Sequence, residues 1–348
     1  MKNEILISGN EAAVLGTIDA GAKIMFGYPI TPATEILEGF IKKTEVEPDL
    51  KLKYLQTEDE IAAGFGVLGS VLGGVISFTA SAGPGHVLLQ DPISMAENLR
   101  LPFVGIMMQR GGPSTGTVNY SQQEVNLAAF GGNGDGHRIV YSASTVLEMY
   151  QLTVKSFESA WKYRFPTIML GDGYLGKMKA VVKLDREKSK VLAKPILEEK
   201  AISTNLRNCY SSEESFAEVL NTQYVEWDKF KPEIVESESY KTDGAKTLII
   251  AHGLVASAAK EAIDTISKGS KKIGLFRPIT LNPFDGEKLK KVAAKAQKIL
   301  IIESSLNQLS RIVKYELAGM KLKFIEVSRP AQGFTSLEII NEIRRHNG

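Results

Sequence analysis

Residues 22–43 read AKIMFGYPITPATEILEGFIKK, which is an apolar run, a short irregular segment and then a helical pattern. The apolar run predicts a buried strand and the pattern after it an amphipathic helix, which together form the repeating unit of an α/β fold. Between them, Pro29 and Pro32 each fix φ and bias the residue before them toward extended backbone, so a rigid bend is expected. Thr31 or Thr34 is expected to cap the helix, whose free amides favour an anion; a plain capped turn is the alternative.

Further β-rich runs follow at intervals that leave room for a helix between them. They lack strict alternation because strands covered on both faces are apolar throughout, so they predict a mostly parallel sheet with crossover helices. One helix is expected to start directly after Asn10 and another at Ser144. The predicted strands are KIMF (23–26), LKYL (52–55), VISFT (75–79), FVGIMM (103–108), RIVYS (138–142) and PTIML (166–170).

The composition changes after this first α/β region, and three parts of the chain are predicted. Residues 1–178 form the first domain, and residues 179–244 are polar, which indicates a linker or an arm lying over another part of the protein. Residues 245–348 repeat a strand and helix pattern four times, beginning with TLIIA and ending near SLEIINEIRR, and predict a smaller second α/β domain.

Charge and cysteine content exclude several function classes. The 348 residues carry a formal net charge of +2 without a basic block, which argues against nucleic acid as a partner. The expectation from the N-terminal sequence and from the absence of a long apolar run is a cytoplasmic protein without a membrane segment. Cys209 is the single cysteine, so this chain cannot hold a thiolate zinc site or an iron–sulfur cluster alone.

Unusual residues collect where predicted strands end, which is where ligand sites of α/β sheets lie. Glu60 follows the second strand, and Thr57 with Glu60 at the third helical position also matches a capping box. The small residues of the segment EIAAGFGVLG are expected to let another molecule or chain approach the start of the helix closely. Gly83, in the segment SAGPG, lacks the spacing of a dinucleotide or nucleoside triphosphate loop. Arg110 has a planar fork suited to a carboxylate, with a surface ion pair as the alternative.

In order along the chain, GYPITPATE, the Glu-x-x-Ala run, TASAGPG and QRGGPSTG resemble the α subunit of the 2-oxoacid:ferredoxin oxidoreductases. These thiamine-diphosphate enzymes oxidatively decarboxylate 2-oxoacids, and the resemblance covers nearly the whole chain. It implies a parallel-sheet α/β domain that binds the cofactor's pyrimidine ring, followed by a smaller domain of the transketolase C-terminal type, which carries FRPITLNPF.

The resemblance also implies roles for individual residues. The bend that holds Pro29, Ile30 and Thr31 would face the cofactor and the substrate, with Thr31 hydrogen-bonded to the 2-oxoacid. Arg110 would pair with the substrate carboxylate. Gly83 would contact the cofactor. A glutamate would share a proton with a ring nitrogen of the aminopyrimidine, which calls for a carboxyl group with a raised pKa in a dry pocket.

Two glutamates compete for that role. Glu60 keeps the Glu-x-x-Ala start and the spacing to Gly69, whereas Glu58 fits better when counted from Gln56. Glu60 is favoured, and both are candidate cofactor contacts.

The resemblance further implies a heteromer. GDG occurs at 171–173, but the expected asparagine is missing from 197–202, so GDG is interpreted as a strand-end turn and no metal site is assigned to this chain. A β subunit would supply the diphosphate and Mg²⁺ site, and partner chains, including γ and ferredoxin-like subunits, the iron–sulfur clusters. A 2-oxoacid and coenzyme A would be the substrates; 2-oxoglutarate is favoured, and a branched-chain 2-oxoacid and pyruvate are the alternative substrates. The alternatives are the β subunit of a 2-oxoacid dehydrogenase that reduces lipoamide, and a non-catalytic scaffold subunit.

Overall fold

The computed structural model describes residues 4–184, 186, 189, 191–197, 206–266 and 273–347. Its strands are β1 (Glu4–Ser8), β2 (Ile24–Gly27), β3 (Lys53–Gln56), β4 (Ser77–Ser81), β5 (Val104–Gln109), β6 (Ile139–Ser142), β7 (Thr167–Asp172), β8 (Lys179–Lys183), β9 (Ser237–Tyr240), β10 (Thr247–Ile250), β11 (Ile273–Pro278), β12 (Thr280–Asn282), β13 (Lys298–Glu303) and β14 (Lys323–Ser328). Its helices are α1 (Gly9–Asp19), α2 (Thr34–Val46), α3 (Glu60–Leu72), α4 (Pro84–Leu88), α5 (Gln90–Leu99), α6 (Val125–Phe130), α7 (Val146–Tyr163), α8 (Gly173–Lys177), α9 (Glu213–Ile234), α10 (Gly253–Ile266), α11 (Gly286–Ala293), α12 (Leu309–Glu316) and α13 (Ser336–Asn347).

The larger sheet has seven strands in the order β12-β6-β7-β5-β4-β2-β3. The strands from β6 to β3 pair in parallel, and β12 adds antiparallel to β6. Every run predicted as a strand of the first domain lies in this sheet, so the predicted parallel-sheet α/β fold is confirmed. The edge strand β12 was not predicted, because three residues give too short a pattern to read.

Burial on both faces explains why these strands lack alternation. In β5, Ile106 and Met108 pack into one core together with α1, α2 and α7, whereas Met107 packs into a second core on the opposite face. The second core contains α3 and α5 and continues into β10, β11 and β13 of the C-terminal region. The two halves of the chain are therefore joined by a shared apolar core.

The second sheet has five strands in the order β14-β13-β10-β11-β9. Its strands pair in parallel apart from β9, which is antiparallel to β11. The strand and helix order predicted for residues 245–348 is present, with α10 and α13 packed against each other on one face. This sheet has the parallel α/β arrangement predicted for the smaller domain.

The polar range 179–244 contains regular structure that was not predicted. Strand β8 pairs antiparallel with β1, and α9 lies across the first domain, where Trp227 stacks on His137 at a centroid distance of 4.9 Å. The high polarity of α9 reflects its exposed face, since Trp227 is buried. Among the described residues, none of the helices is both long and apolar enough to cross a membrane.

Two predicted helix starts were wrong by one or two residues. Helix α1 is capped by Ser8, which exchanges hydrogen bonds with Glu11 in a capping box, and not by Asn10. The Asn10 side chain is buried and donates to the carbonyl oxygen of Pro32 at 3.0 Å, so it supports the bend after β2. Helix α7 is capped by Thr145. Neighbouring residues of similar capping propensity compete at both sites, and tertiary contacts decide between them.

Candidate active site

The ends of β2, β3, β4 and β5 bring four loops to one edge of the larger sheet. Parallel neighbours end at the same edge, so the bend after β2, the start of α3, the turn before α4 and the loop after β5 meet there. Every residue predicted to act on a substrate or cofactor lies on one of these four segments. The sheet topology therefore assembles them from positions that are far apart in the sequence.

Glu60 is the first residue of α3 and is buried, with 4% of its surface exposed. Ser81, the last residue of β4, donates a hydrogen bond to Glu60 Oε1 at 3.2 Å. Burial raises the pKa of Glu60 above its ordinary value, and hydrogen bonds from its surroundings oppose this shift only in part. A carboxyl group in this environment holds a proton to higher pH than an exposed glutamate does.

The predicted capping box at Thr57 and Glu60 is wrong. Asp59 caps α3 by accepting a hydrogen bond from the Ala62 amide at 2.8 Å, which makes Glu60 the first helical residue and frees its carboxyl group from a capping role. Glu58 precedes the cap and is exposed. The two candidate glutamates thus differ in environment, because Glu60 is buried and Glu58 is exposed.

Glycines shape the surroundings of Glu60. A methyl group on Gly85 of α4 would overlap both Glu60 Oε1 and Ser81 Oγ, so only glycine allows α4 to pass this close. Gly64 and Gly66 lie against Pro92 and the Phe26 ring of the same chain. Gly64 and Gly66 therefore serve packing within the chain, whereas Gly69 has open space beside it, and close approach of another molecule to the helix stays a prediction there.

Arg110 follows β5 and is 5% exposed. Its Nη1 donates to the carbonyl oxygen of Thr31 at 2.8 Å, whereas its buried Nε has no hydrogen-bond partner among the described residues. Its guanidinium lies over Gly83, whose φ of +52° and close approach to Arg110 both favour glycine. A surface ion pair does not account for Arg110, because the side chain is buried and no described carboxylate pairs with it.

The bend after β2 is held from two sides, by Arg110 on Thr31 and by Asn10 on Pro32. The Thr31–Pro32 peptide bond is cis. Pro29 is exposed, while Ile30 and Thr31 are half-buried. The predicted cap by Thr31 or Thr34 is wrong, because Ala33 occupies the cap position and no side chain bonds the helix start.

The structure adds two residues that the sequence did not single out. Glu124 Oε1 accepts hydrogen bonds from the backbone amides of Gly83 and Arg110, each at 2.9 Å. Its Oε2 lies 2.8 Å from Nδ1 of His86, which is fully buried on α4. Glu124 stands 14 residues beyond Arg110, so no local pattern links the two.

The GDG segment ends β7, whose Asp172 pairs with Gln109 at the end of β5, so it lies at the same edge of the sheet beside the four loops. Asp172 caps α8 by accepting from the Leu175 amide at 3.1 Å, and its other oxygen accepts from the Leu254 amide at 3.0 Å. Burial raises the pKa of Asp172 to about 6. Positions 198–202, which belong to the range where an asparagine was expected, lie outside the described residues. Within the described part of the chain, no group of three or more histidine, cysteine or acidic residues could hold a metal ion.

Exposed apolar side chains flank the four loops, on and next to the edge strand β3 and on α3 and α4. We call them the β3 edge surface. Its members, with their exposed fractions, are Tyr28 (41%), Tyr54 (46%), Leu55 (54%), Phe65 (37%), Val87 (57%) and Leu88 (40%). Large apolar side chains left exposed beside a polar site make this region a candidate protein–protein interface.

Two protein-family models match the chain. Residues 15–235 match the model described as "Pyruvate flavodoxin/ferredoxin oxidoreductase, thiamine diP-bdg". Residues 245–335 match "Pyruvate:ferredoxin oxidoreductase core domain II". The first model alone covers more than half of the sequence.

Relatives match over most of their length. The ketoisovalerate oxidoreductase subunit VorB of Methanothermobacter marburgensis is 33% identical over 317 residues, which cover 89% of this chain and 88% of the relative. The 2-oxoglutarate synthase subunit KorA of Methanocaldococcus jannaschii is 31% identical, with 94% of each chain covered.

Solved structures agree with this likeness. A 2-oxoglutarate:ferredoxin oxidoreductase from Magnetococcus marinus, determined with 2-oxoglutarate, coenzyme A and succinyl-CoA bound, superposes with a TM-score of 0.88 at 26% identity. The match covers all of this chain and 66% of that one, so this chain spans just under two thirds of that protein chain's length. A split-gene transketolase tetramer shares the fold at a TM-score of 0.59 and 13% identity.

Proposed function

Because this chain belongs to the 2-oxoacid:ferredoxin oxidoreductase family and is a subunit of a thiamine-diphosphate-dependent heteromer, we propose that it supplies the half of the active site that contacts the cofactor's aminopyrimidine ring and the substrate carboxylate. Family membership favours ferredoxin over lipoamide as the electron acceptor. The observation that carries the proposal is the buried carboxyl group of Glu60, whose pKa is raised at the start of α3.

The residues around Glu60 fit an aminopyrimidine. Bound thiamine diphosphate supplies the carbon nucleophile that adds to the 2-oxo group and holds the electron pair left by carbon dioxide. The proposed role of Glu60 is to hold a proton at a ring nitrogen of the cofactor. This role requires a carboxyl group that stays protonated in a dry pocket. Glu58 is exposed and does not meet that requirement. Pro29, Ile30 and Gly83 lie on the neighbouring loops and complete the proposed contacts with the cofactor.

Arg110 fits a carboxylate on the substrate. Its Nε is buried without a partner in the described part of the chain, while Nη1 is held by Thr31. A buried guanidinium that lacks one partner is stabilised by an anion, which a 2-oxoacid provides next to its reacting carbon. The hydroxyl group of Thr31 would donate to the same substrate, and the rigid bend would keep it in place.

The rest of the active site would come from partner chains. Cys209 is the single cysteine of the sequence and is exposed, so we expect the iron–sulfur clusters on other subunits. A β subunit would bind Mg²⁺ and the diphosphate, docked on the β3 edge surface beside the four loops. Further γ and ferredoxin-like subunits would complete the electron path.

We favour 2-oxoglutarate as the substrate, with coenzyme A as the acyl acceptor. The KorA relatives and the superposed structure support it, since that structure holds 2-oxoglutarate, coenzyme A and succinyl-CoA. The acid would lose carbon dioxide, two electrons would go to ferredoxin, and the acyl group would form a thioester with coenzyme A. A branched-chain 2-oxoacid is the second candidate, because VorB relatives match equally well.

The test is an assay of the assembled heteromer. The chain is co-expressed with the β subunit and ferredoxin-like chain of its own gene neighbourhood, and 2-oxoglutarate, 2-oxoisovalerate and pyruvate are compared with coenzyme A and a viologen acceptor. Glu60→Gln should lower kcat by about 10² to 10⁴, the range for a positioned proton donor, while Glu58→Gln keeps nearly full activity. Full activity of Glu60→Gln would contradict the proposal and favour a scaffold role.

A further inference from the structure

We propose that Glu124, together with His86, is a positioning residue that holds Arg110 and the Gly83 turn in the arrangement the substrate requires. The inference rests on the proposed function and extends it to two residues outside the proposed substrate and cofactor contacts. Neither residue is placed in contact with substrate or cofactor. Their proposed effect reaches the reaction through the backbone of two loops.

One carboxylate oxygen joins those two loops. Oε1 of Glu124 accepts from the amides of Gly83 and Arg110, each at 2.9 Å, although Gly83 lies 41 residues before Glu124 and Arg110 lies 14 before it. The link to β5 is reciprocal, because the side-chain oxygen of Gln109 accepts from the Glu124 amide at 3.3 Å. Glu124 therefore adds a direct link between the two loops to the pairing of β4 with β5 and the packing of Arg110 on Gly83.

The second carboxylate oxygen of Glu124 extends the link to α4. His86 Nδ1 lies 2.8 Å from Oε2, and the His86 ring is fully buried. Gly85, the residue before it, passes so close to Glu60 that a methyl group there would overlap the carboxyl oxygen. A shift of α4 would thus change the wall of the Glu60 pocket as well as the Gly83 turn.

The loop between Arg110 and Glu124 is folded on itself. The Thr117 amide donates to the carbonyl oxygen of Gly111 at 2.9 Å, and the side chain of Gln123 accepts from the Gly112 amide at 3.2 Å. These contacts fix the interior of the loop. Its later part is also held by the C-terminal region, because the Gln122 amide donates to the Ser304 carbonyl oxygen at 3.1 Å and the Tyr120 hydroxyl group donates to Ser304 Oγ at 2.8 Å. Glu124 holds both ends, since it forms one of them and binds the amide of the other.

Arg110 is sensitive to this placement because its buried side chain packs on the Gly83 turn and has few hydrogen-bond partners. Among the described residues, the guanidinium donates one hydrogen bond, from Nη1 to Thr31, and its Nε is unpaired. Its direction thus depends on its own backbone and on the Gly83 turn against which it packs, and the amides of both residues are bound to Glu124. A displacement of about 1 Å at such a residue costs up to about a hundredfold in rate.

The experiment uses the assembled heteromer and begins with the wild type. Glu124→Ala, Glu124→Gln and His86→Asn are compared with Glu97→Ala. This control removes an equally buried carboxylate on α5 that pairs with Arg138, the residue before β6. Three quantities are measured: kcat and KM for the preferred 2-oxoacid, the midpoint of thermal unfolding, and the Kd of an unreactive dicarboxylate analogue, N-oxalylglycine, by calorimetry without turnover.

Glu124→Ala should raise KM and the analogue Kd on the order of tenfold or more, because Arg110 no longer meets the carboxylate in one fixed position. Glu124→Gln should restore most of the affinity, since its amide oxygen still accepts from both backbone amides. His86→Asn should show an intermediate loss. Glu97→Ala should lower the unfolding midpoint with KM and Kd unchanged.

Wild-type KM and Kd in Glu124→Ala would overturn the inference, as would an equal loss of affinity in Glu97→Ala. If Glu124→Ala does not fold, the inference is tested with Glu124→Gln and His86→Asn. An unchanged analogue Kd in His86→Asn then overturns the inference. Failure of the proposed function itself is recognised separately, because the wild-type heteromer would then oxidise none of the 2-oxoacids.

Discussion

The Arg110 guanidinium donates a 2.8 Å hydrogen bond to the carbonyl oxygen of Thr31, a residue 79 positions earlier in the chain. This bond joins the loop after β5 to the bend after β2, and it uses the backbone of Thr31 while its hydroxyl group remains available to a substrate. It also directs the unpaired Nε of Arg110 within the same buried region. The two proposed substrate contacts therefore form one unit.

Replacing Arg110 with lysine should keep the positive charge and lose the planar fork. We expect kcat/KM to fall on the order of a hundredfold, mostly through KM, because a point charge cannot bond Thr31 and a carboxylate in the same geometry. Steady-state kinetics of the heteromer measure this. Arg138→Lys is the control, since Arg138 is equally buried but pairs with Glu97 outside the four loops; an equal rise of KM in both variants would contradict the assignment.

Removing the Ser81 hydroxyl group should shift the pH dependence of turnover. The hydrogen bond from Ser81 lowers the pKa of Glu60, so Ser81→Ala raises that pKa further. If the protonated carboxyl group is the active form, activity declines as pH rises through its pKa, and the alkaline limb of kcat moves to higher pH in the variant. A limb that stays in place or moves to lower pH would argue against Glu60 as the proton donor.

The two glycines Gly85 and Gly69 should respond oppositely to alanine. Gly85→Ala places a methyl group on the Glu60 and Ser81 oxygens and should destabilise the protein by about 1–3 kcal/mol and reduce activity. A methyl group on Gly69 of α3 would point into open space with no neighbouring atom within 4 Å, so Gly69→Ala should stabilise α3 by about 0.5–1 kcal/mol. Urea unfolding measures the free energy of unfolding of both variants. Equal changes in the two variants would contradict the prediction.

Asp172 should make stability decrease with rising pH over a defined range. Its pKa is about 6 in the folded protein against 3.8 ordinarily, so the folded state binds the proton more tightly than the unfolded state. The free energy of unfolding should therefore fall between about pH 4 and pH 6 and level off above that range, by about 3 kcal/mol in total. Asp172→Asn lacks this titration. Unfolding of both proteins at several pH values shows the difference, and parallel pH profiles would contradict the assignment.

Charged residues on the β3 edge surface should prevent assembly. Tyr54→Glu combined with Leu55→Asp places two carboxylates where an apolar interface is proposed, so the chain should no longer co-purify with its β subunit. Tyr315 is more exposed still, at 81%, but lies on α12 away from the four loops. Tyr315→Glu is thus the matched control and should assemble normally; normal assembly of the double variant would place the partner elsewhere.

Sequence patterns predicted the sheets better than they predicted the details of the site. Runs such as FVGIMM identify strands because a strand buried on both faces must be apolar throughout, and β5 is buried along its whole length. Helix starts were less certain, because Thr57, Glu58 and Asp59 offer adjacent capping oxygens and the choice among them depends on packing. Strand β12 depends on its antiparallel partner β6 rather than on any pattern of its own.

The residues of the candidate site also differ in how well the sequence predicts their positions and roles. Arg110 and Glu60 follow apolar runs directly, so their place at the sheet edge can be read from the sequence. The role of Glu124 cannot, because it bonds two backbone amides that only the folded chain brings within 2.9 Å. Backbone acceptors and donors leave no residue-type signal, so contacts of this kind appear only in three dimensions.

Strand β3 ends the larger sheet with one row of backbone groups open to solvent and all four of its side chains exposed. An open edge of this kind templates strand addition between identical copies, and Tyr54 and Leu55 favour it further. A newly synthesised chain that meets no β subunit should therefore aggregate through this edge. Binding of the proposed partner would then also shield this edge from self-association.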